Sequence, residues 1–367
     1  MANNILLFTV RRVVNAVITL IFLIFLIFAL IHVIAPTPED LARIYAPSPR
    51  VTPSELQAVI RQYHLDAPLP TQFVNYIVGI FHGNWGLDTL YHEPVLQVIG
   101  RYMPVTLEMV IIGDIVAVLI GLFTGTVAAA NRKNPADYTV KGLYLATWSA
   151  PVFLVGVSVQ LLFAYTLNLL PSTGLVNPTL TAPPPVTGYP YLSALPQPLQ
   201  GSLSSLVRAL TSAPLIDSLL TGHYTYFVSL VHHMVLPALT IGVISFGSIT
   251  RLTRASMVDA LDKDYVKLAY MKGLGKRQVV YGTAFRNGII PIITLIALIF
   301  GFSTGGAVIV EDIYNYHGIG YFTVQALYNL DYPSILGITL IIGMTVIAAN
   351  FVADLLYGIA DPRVRVG

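Results

Sequence analysis

Apolar residues along this chain collect into six runs, roughly 13–35, 104–130, 142–169, 235–250 continuing towards 256, 289–310 and 334–358. A helix crossing a ~30 Å hydrocarbon layer needs about 20 mostly apolar residues, because lipid satisfies no bare peptide group. The pattern therefore predicts six membrane-spanning helices. The first run, Val13 to Ala35, is too long for a signal-peptide core and lacks a clear small-residue cleavage site, so it reads as an uncleaved anchor. The fourth is the weakest, with Pro237 at its start and Gly242, Gly247 and Ser248 inside it.

Composition agrees with that pattern. Of 367 residues, 55% are hydrophobic and only 10% charged, with a mean hydropathy of +0.72. So much apolar surface cannot be hidden in one water-soluble core, and an all-α integral membrane protein is expected. A net charge of +2 excludes a nucleic-acid partner bound through a concentrated basic face. The absence of cysteine removes disulfides, thiolate metal sites and a cysteine nucleophile together.

The charged residues orient the spans. With the amino terminus cytoplasmic, the cytoplasmic pieces are 1–12, 131–141, 251–288 and 359–367, which hold fifteen of the twenty basic residues and all six lysines. Lysine and arginine resist translocation, so both termini are expected in the cytoplasm of a multi-pass cell-membrane protein. Two long outer segments remain. In 36–103, Thr52, Pro53 and Glu55 form a capping-box helix start. The stretch around Trp85, with Gly79, Gly83 and Gly86, reads as a loop lying on the membrane surface. In 171–234, nine prolines favour extended structure at first, and Leu203 to Leu220 suits a short helix. The chain thus divides into an anchor with its outer segment (1–94) and a transmembrane core (95–367) that carries the proline-rich insert 171–234.

Arg251 to Arg286 is the anomaly in so apolar a chain, with eight basic and three acidic residues. Val258, Leu261, Tyr265 and Leu268 recur at helical spacing and predict one apolar stripe, with Asp259, Asp262, Lys263 and Lys267 mainly off it. Gly273 suits a left-handed helix stop, so Gly273-Leu274-Gly275 turns the chain between two short helices. Taken alone, this is equally an interfacial loop whose cations meet anionic lipid headgroups.

Its order of residues resembles something more specific. Asp264-Tyr265-Val266, Ala269, Lys272-Gly273-Leu274, Arg286-Asn287 and Pro291 resemble the coupling loop of ABC importer permeases of the dipeptide, oligopeptide and nickel family, permease B type. Arg251-Leu252-Thr253-Arg254-Ala255-Ser256-Met257 resembles the approach to that loop. Gly305 to Glu311, Gly318-Ile319-Gly320, Asp331-Tyr332-Pro333 and Asp361-Pro362-Arg363 follow in the family's order, and a weaker likeness reaches back to Arg11-Arg12. Two features depart from it: the long insert 171–234 and the Tyr270-Met271 pair.

The resemblance implies a type I ABC importer permease fold with a cytoplasmic coupling helix over roughly Ala260–Gly273. It implies Asp264, Tyr265, Lys267, Ala269, Lys272, Gly273, Leu274, Arg286 and Asn287 as the loop that meets the ATPases. It further implies two cytoplasmic ABC ATPase subunits, a second homologous permease and an extracytoplasmic solute-binding protein. Short peptides are the expected cargo, with oligosaccharides and nickel chelates as alternatives. Tyr189, Tyr191, Tyr224 and Tyr226 suit sugar stacking but equally an interfacial belt. No G-x-x-x-x-G-K-[ST] frame occurs, so ATP is expected on partner subunits, with no cofactor or metal held by this chain.

The remaining polar residues divide between chemistry and architecture. Intramembrane carboxylates default to functional roles: Asp114 and Asp354 mark either the translocation path or polar contacts between helices, Asp354 through a nearby cation. Glu108, near the outer end, suits an interfacial role. His232-His233 and Glu311-Asp312 are poor chelating pairs, because helix neighbours point about 100° apart. An ion-coupled transporter using Asp114 is the alternative function, but it leaves the coupling-loop pattern unexplained. An intramembrane protease lacks its histidine or its second aspartate motif.

Overall fold

The computed structural model describes residues 2–45, 51–180 and 213–360. A long helix α1 (Ala2–Ile34) leads to three short helices, α2 (Pro38–Tyr45), α3 (Pro53–Tyr63) and α4 (Leu69–Phe81). The core follows as α5 (Val95–Ala130), α6 (Pro135–Ser149), α7 (Val152–Thr166), α8 (Pro214–Leu220) and α9 (Tyr224–Leu261). Two short pieces, α10 (Asp264–Met271) and α11 (Lys276–Gly288), precede α12 (Ile290–Tyr314), α13 (Ile319–Tyr328) and α14 (Tyr332–Ala360). Thr52 caps α3 as its sequence demands: its hydroxyl accepts from the Glu55 N–H, and the Glu55 carboxylate accepts from the Thr52 N–H at 2.8 Å.

Among the described residues, four helices are long and apolar enough to cross a membrane: Val10–Ile34, Val95–Ala130, Tyr224–Leu261 and Tyr332–Ala353. The third expected span is broken, while the fifth is continuous in α12 and is only preceded by a bend at Ile289. Pro135–Ser149 and Val152–Thr166 meet at 108°, and Lys276–Gly288 meets Ile290–Gly305 at 60°. Counting each bent pair once gives six. The first break has a local cause: Pro151 drives Ala150 out of the helical region, to φ −78° and ψ 130°.

Two helices reach further towards the amino terminus than their runs. The second run was expected from residue 104 and the fourth from 235 with Pro237 near its start, yet α5 and α9 pass straight through Pro104 and Pro237. Neighbouring helices and local adjustment re-satisfy the freed carbonyls in such bundles. The fourth run, weakest on paper, is the longest helix, because it packs along all of α5. Gly113, Gly121 and Gly125 face Ala238–Ile241, Ile249 and Thr253 so closely that an added Cβ would come within 2.6–2.8 Å of them. Small residues let the two backbones approach, and Thr124 and Thr250 hydrogen bond across the seam at 2.9 Å.

Of the expected helix at 203–220, Pro214–Leu220 is present; positions 203–212 and most of the proline-rich stretch lie outside the described residues, as do Asp361, Pro362 and Arg363. Trp85, in the stretch expected on the membrane surface, is half-buried against α14, and its indole N–H donates to the Ile80 carbonyl at 3.0 Å.

Candidate functional site

The loop between α9 and α12 is built on one small apolar cluster. Val266 (1% exposed) and Ala269 (6%) pack with Ala129, Met257, Ala260, Val279, Val280 and Ala284. This corrects the apolar stripe. Val258 and Leu261 belong to α9, which ends at Leu261, while Tyr265 and Leu268 point outward. The break at Asp262-Lys263 resets the helical phase, so α10 is Asp264–Met271 rather than a longer Ala260–Gly273 helix. Lys272 caps it, and Gly273 follows at φ +80° with its N–H on the Tyr270 carbonyl. Only glycine adopts that conformation without strain. The Leu274 N–H then returns to the Ala269 carbonyl at 3.3 Å.

What this leaves outside is unusual for a polar loop. Met271 is 77% exposed and Leu268 48%, with Tyr265, Tyr270, Leu274 and Tyr281 also exposed. Lys267, Lys272, Lys276 and Arg277 surround them. An apolar patch rimmed by charge marks an interaction surface. Asp264 pairs with Lys267 at 2.8 Å, which holds its carboxyl below the usual carboxylate range, but both are exposed and the pair adds little stability. Asn287 donates to the Thr283 carbonyl at 3.0 Å and lies against the Tyr265 hydroxyl, while Arg286 is exposed. The structure thus brings all nine loop residues onto one knob at the end of the bundle, eight of them exposed and Ala269 in its base.

The knob is tied to the bundle by residues that were given no role above. Asp137, fully buried, takes a two-pronged contact from Arg254, Nε at 2.6 Å and Nη2 at 3.0 Å. Lys141 adds an ion pair at 3.1 Å and the Lys133 backbone N–H donates at 3.1 Å. This clamp joins the α5–α6 corner to the last turns of α9, directly above the loop. Its one sequence signal was a lone acid among the three cations of 131–141.

Asp114 is buried between α5 and α12 and accepts from the Ser303 hydroxyl at 2.9 Å, so it contacts a neighbouring helix. Asp354 lies in α14, and its side chain falls outside the described residues. Glu108 is not simply interfacial: it accepts from the Leu215 and Ile216 N–H groups at the start of α8. Glu311, fully buried, accepts from the Thr106 hydroxyl and from the Tyr321 N–H at the start of α13. His233 Nδ1 sits 2.8 Å from the Ser229 carbonyl, its ring 6.5 Å from that of His232.

Comparison with known proteins bears on this arrangement. The sequence profile described as "Binding-protein-dependent transport system inner membrane component" matches residues 117–366, and its amino-terminal companion profile matches 5–110. A dipeptide transport system permease protein of Escherichia coli is 32% identical over 360 residues, 98% of both chains. A di/tripeptide transport system permease protein of Pseudomonas aeruginosa is 33% identical over 337 residues, 92% of both. A dipeptide transport system permease protein of Alkalihalophilus pseudofirmus is 27% identical over 360 residues, 98% of this chain and 99% of its own.

Proposed function

The chain belongs to the family of inner membrane components of binding-protein-dependent transport systems, and from that premise we propose that it is a permease subunit of an ATP-driven importer of short peptides. The unfinished surface of the cytoplasmic knob carries this reading. One face of α10 is locked into the bundle by Val266 and Ala269, while Leu268 and Met271 are held out in water at a desolvation advantage only a partner can collect. Two ABC ATPase subunits are that partner, one on this chain and one on a second homologous permease. Asp264, Tyr265, Lys267, Lys272, Gly273, Leu274, Arg286 and Asn287 form the contact. Both termini lie on the ATPase side, and an external solute-binding protein delivers cargo to 36–103 and 171–234.

The mechanism follows from stiffness. ATP-driven closure of the ATPases displaces α10, and the Asp137–Arg254 clamp passes the displacement to α5, α6 and α9 as one body. The nucleotide biases inward-open against outward-open states only through different affinity for the two, and the knob contact supplies that difference. Cargo is assigned as short peptides because the named relatives carry dipeptides and tripeptides.

The chain has no native cysteine, so Met271→Cys provides a unique crosslinking site. In native membranes it is expected to crosslink to a Walker-motif ATPase, and wild-type vesicles are expected to accumulate labelled dipeptide only with ATP and the binding protein. A Met271→Cys chain that labels freely with maleimide yet captures no ATPase would falsify the docking assignment. Uptake of oligosaccharide but not dipeptide overturns the cargo alone.

A further inference from the structure

The outer ends of α1 and α14 and the short helices α2, α3 and α4 enclose a cavity of about 190 Å³ that the transport mechanism does not use. Its wall carries tyrosines from three different helices: Tyr45 at the end of α2, Tyr63 at the end of α3 and Tyr76 within α4. Tyr45 and Tyr63 stack with ring centres 5.0 Å apart and planes 22° from parallel. The charge of Tyr76 and of Tyr63 is felt at Tyr45, so the three phenols converge, and burial pushes the Tyr45 hydroxyl well above its ordinary range and Tyr76 up to about 12. None of the three hydroxyls has a hydrogen-bond partner among the described residues. Phe28 and Trp85 extend the aromatic wall. The carboxamides of Gln62, Asn75 and Asn84 sit exposed at the rim.

The lining selects by exclusion. Among the described residues it contains no lysine, arginine, aspartate or glutamate, so a charged ligand would lose water and gain no counter-charge. An acyl chain would satisfy the rings but leave three half-buried phenol hydroxyls unpaired. A neutral ring with apolar faces and hydroxyls around its edge satisfies both: its faces lie on aromatic surface and its hydroxyls pair with phenols and carboxamides. His32, which lines the floor near the end of α1, places the cavity level with the outer membrane boundary. We propose that this cavity is a binding site for a neutral sugar ring, offered either as a free saccharide or as the headgroup of a glycolipid. It does not depend on what the importer carries.

Trp85 is one of two tryptophans, and the other, Trp148, lies at the opposite end of the bundle beneath Arg251. The full-length chain carrying Trp148→Phe, in phosphatidylcholine nanodiscs, therefore reports on the cavity through its remaining indole. Methyl glucoside and maltose form one arm, monoglucosyl diacylglycerol the second and plain diacylglycerol the control. We expect a saturable change in Trp85 emission in one of the sugar arms, with bound sugar seen by native mass spectrometry. Tyr76→Phe, which removes one hydroxyl and no ring, should weaken it about fivefold. A response to free sugar identifies a saccharide site, and a response to the glycolipid alone identifies a headgroup site. An equal response to diacylglycerol, no bound sugar in either arm, or unchanged affinity in a Tyr45→Phe/Tyr76→Phe double variant overturns the proposal.

Discussion

At the outer end of the bundle, carboxylates close on backbone N–H groups from distant segments. Glu108 holds the start of α8 and Glu311 the start of α13. Asp88 accepts from Leu90, Tyr91 and the Ser334 hydroxyl, while Asp331 accepts from Thr89 and Ser334. At the loop end the acids differ. Asp262 and Asp264 are exposed and pair with Arg132 and Lys267, and large apolar side chains face water. At the first end Glu108, Glu311, Asp88 and Asp331 are satisfied within the chain; the loop end leaves large apolar side chains exposed. Substitutions at the first should therefore cost stability, and substitutions at the second should cost assembly or transport.

The largest effect is expected where the two regimes meet. Arg254→Ala leaves the buried Asp137 with Lys141 and the Lys133 N–H, and breaking a buried pair costs up to about 3–5 kcal/mol; thermal unfolding of the purified chain measures it. Next is Glu311→Gln at the outer end. The amide keeps one acceptor but sets a donor against the Thr106 hydroxyl or the Tyr321 N–H, for a loss of about 1–3 kcal/mol, with ATPase crosslinking at the knob retained. Gly273→Val is smaller in stability and larger in consequence. Open space surrounds that position, so the strain comes only from φ, about 1–2 kcal/mol; ATP-driven uptake should fail while membrane insertion persists.

Leu268→Ser combined with Met271→Ser should lie within about 0.5 kcal/mol of the parent in unfolding, yet weaken ATPase retention at least severalfold in pull-down titrations. If it instead unfolds the chain, the contrast between the two ends is lost. The smallest effect belongs to pH. Burial, then the neighbouring Asp88, raises the Asp331 carboxyl above its usual range. Folding thus favours its protonated form, so its contribution is complete in acid and falls away as pH rises through that raised value. Asp331→Asn should flatten the corresponding slope of stability against pH.

Local chemistry was legible in the sequence and remote chemistry was not. The Thr52–Glu55 cap and the Gly273 turn are decided within four residues, and each stands where its residues put it. The apolar runs marked six crossings because lipid imposes the same length on each. Pro237 made the fourth run look weak; along the glycine seam with α5, α9 nevertheless runs straight through it. Asp137 finds Arg254 across 117 positions and Thr106 finds Glu311 across 205, and no spacing rule reaches that far. Val266 and Ala269 were missed as the buried face because the stripe was counted through a helix break.

That seam has a mechanical meaning. Along α5 and α9 the backbones touch at Gly113, Gly121 and Gly125, spaced over three turns. Two rods meshed at three points cannot slide past one another; they can only rotate as a single stiff beam, on the order of 50 Å long for α9's 38 residues. Through Arg254 one end of the beam is fastened beside the knob, and through Glu108 the other end carries α8. A tilt imposed at one end of such a beam therefore arrives at the other with reversed sign.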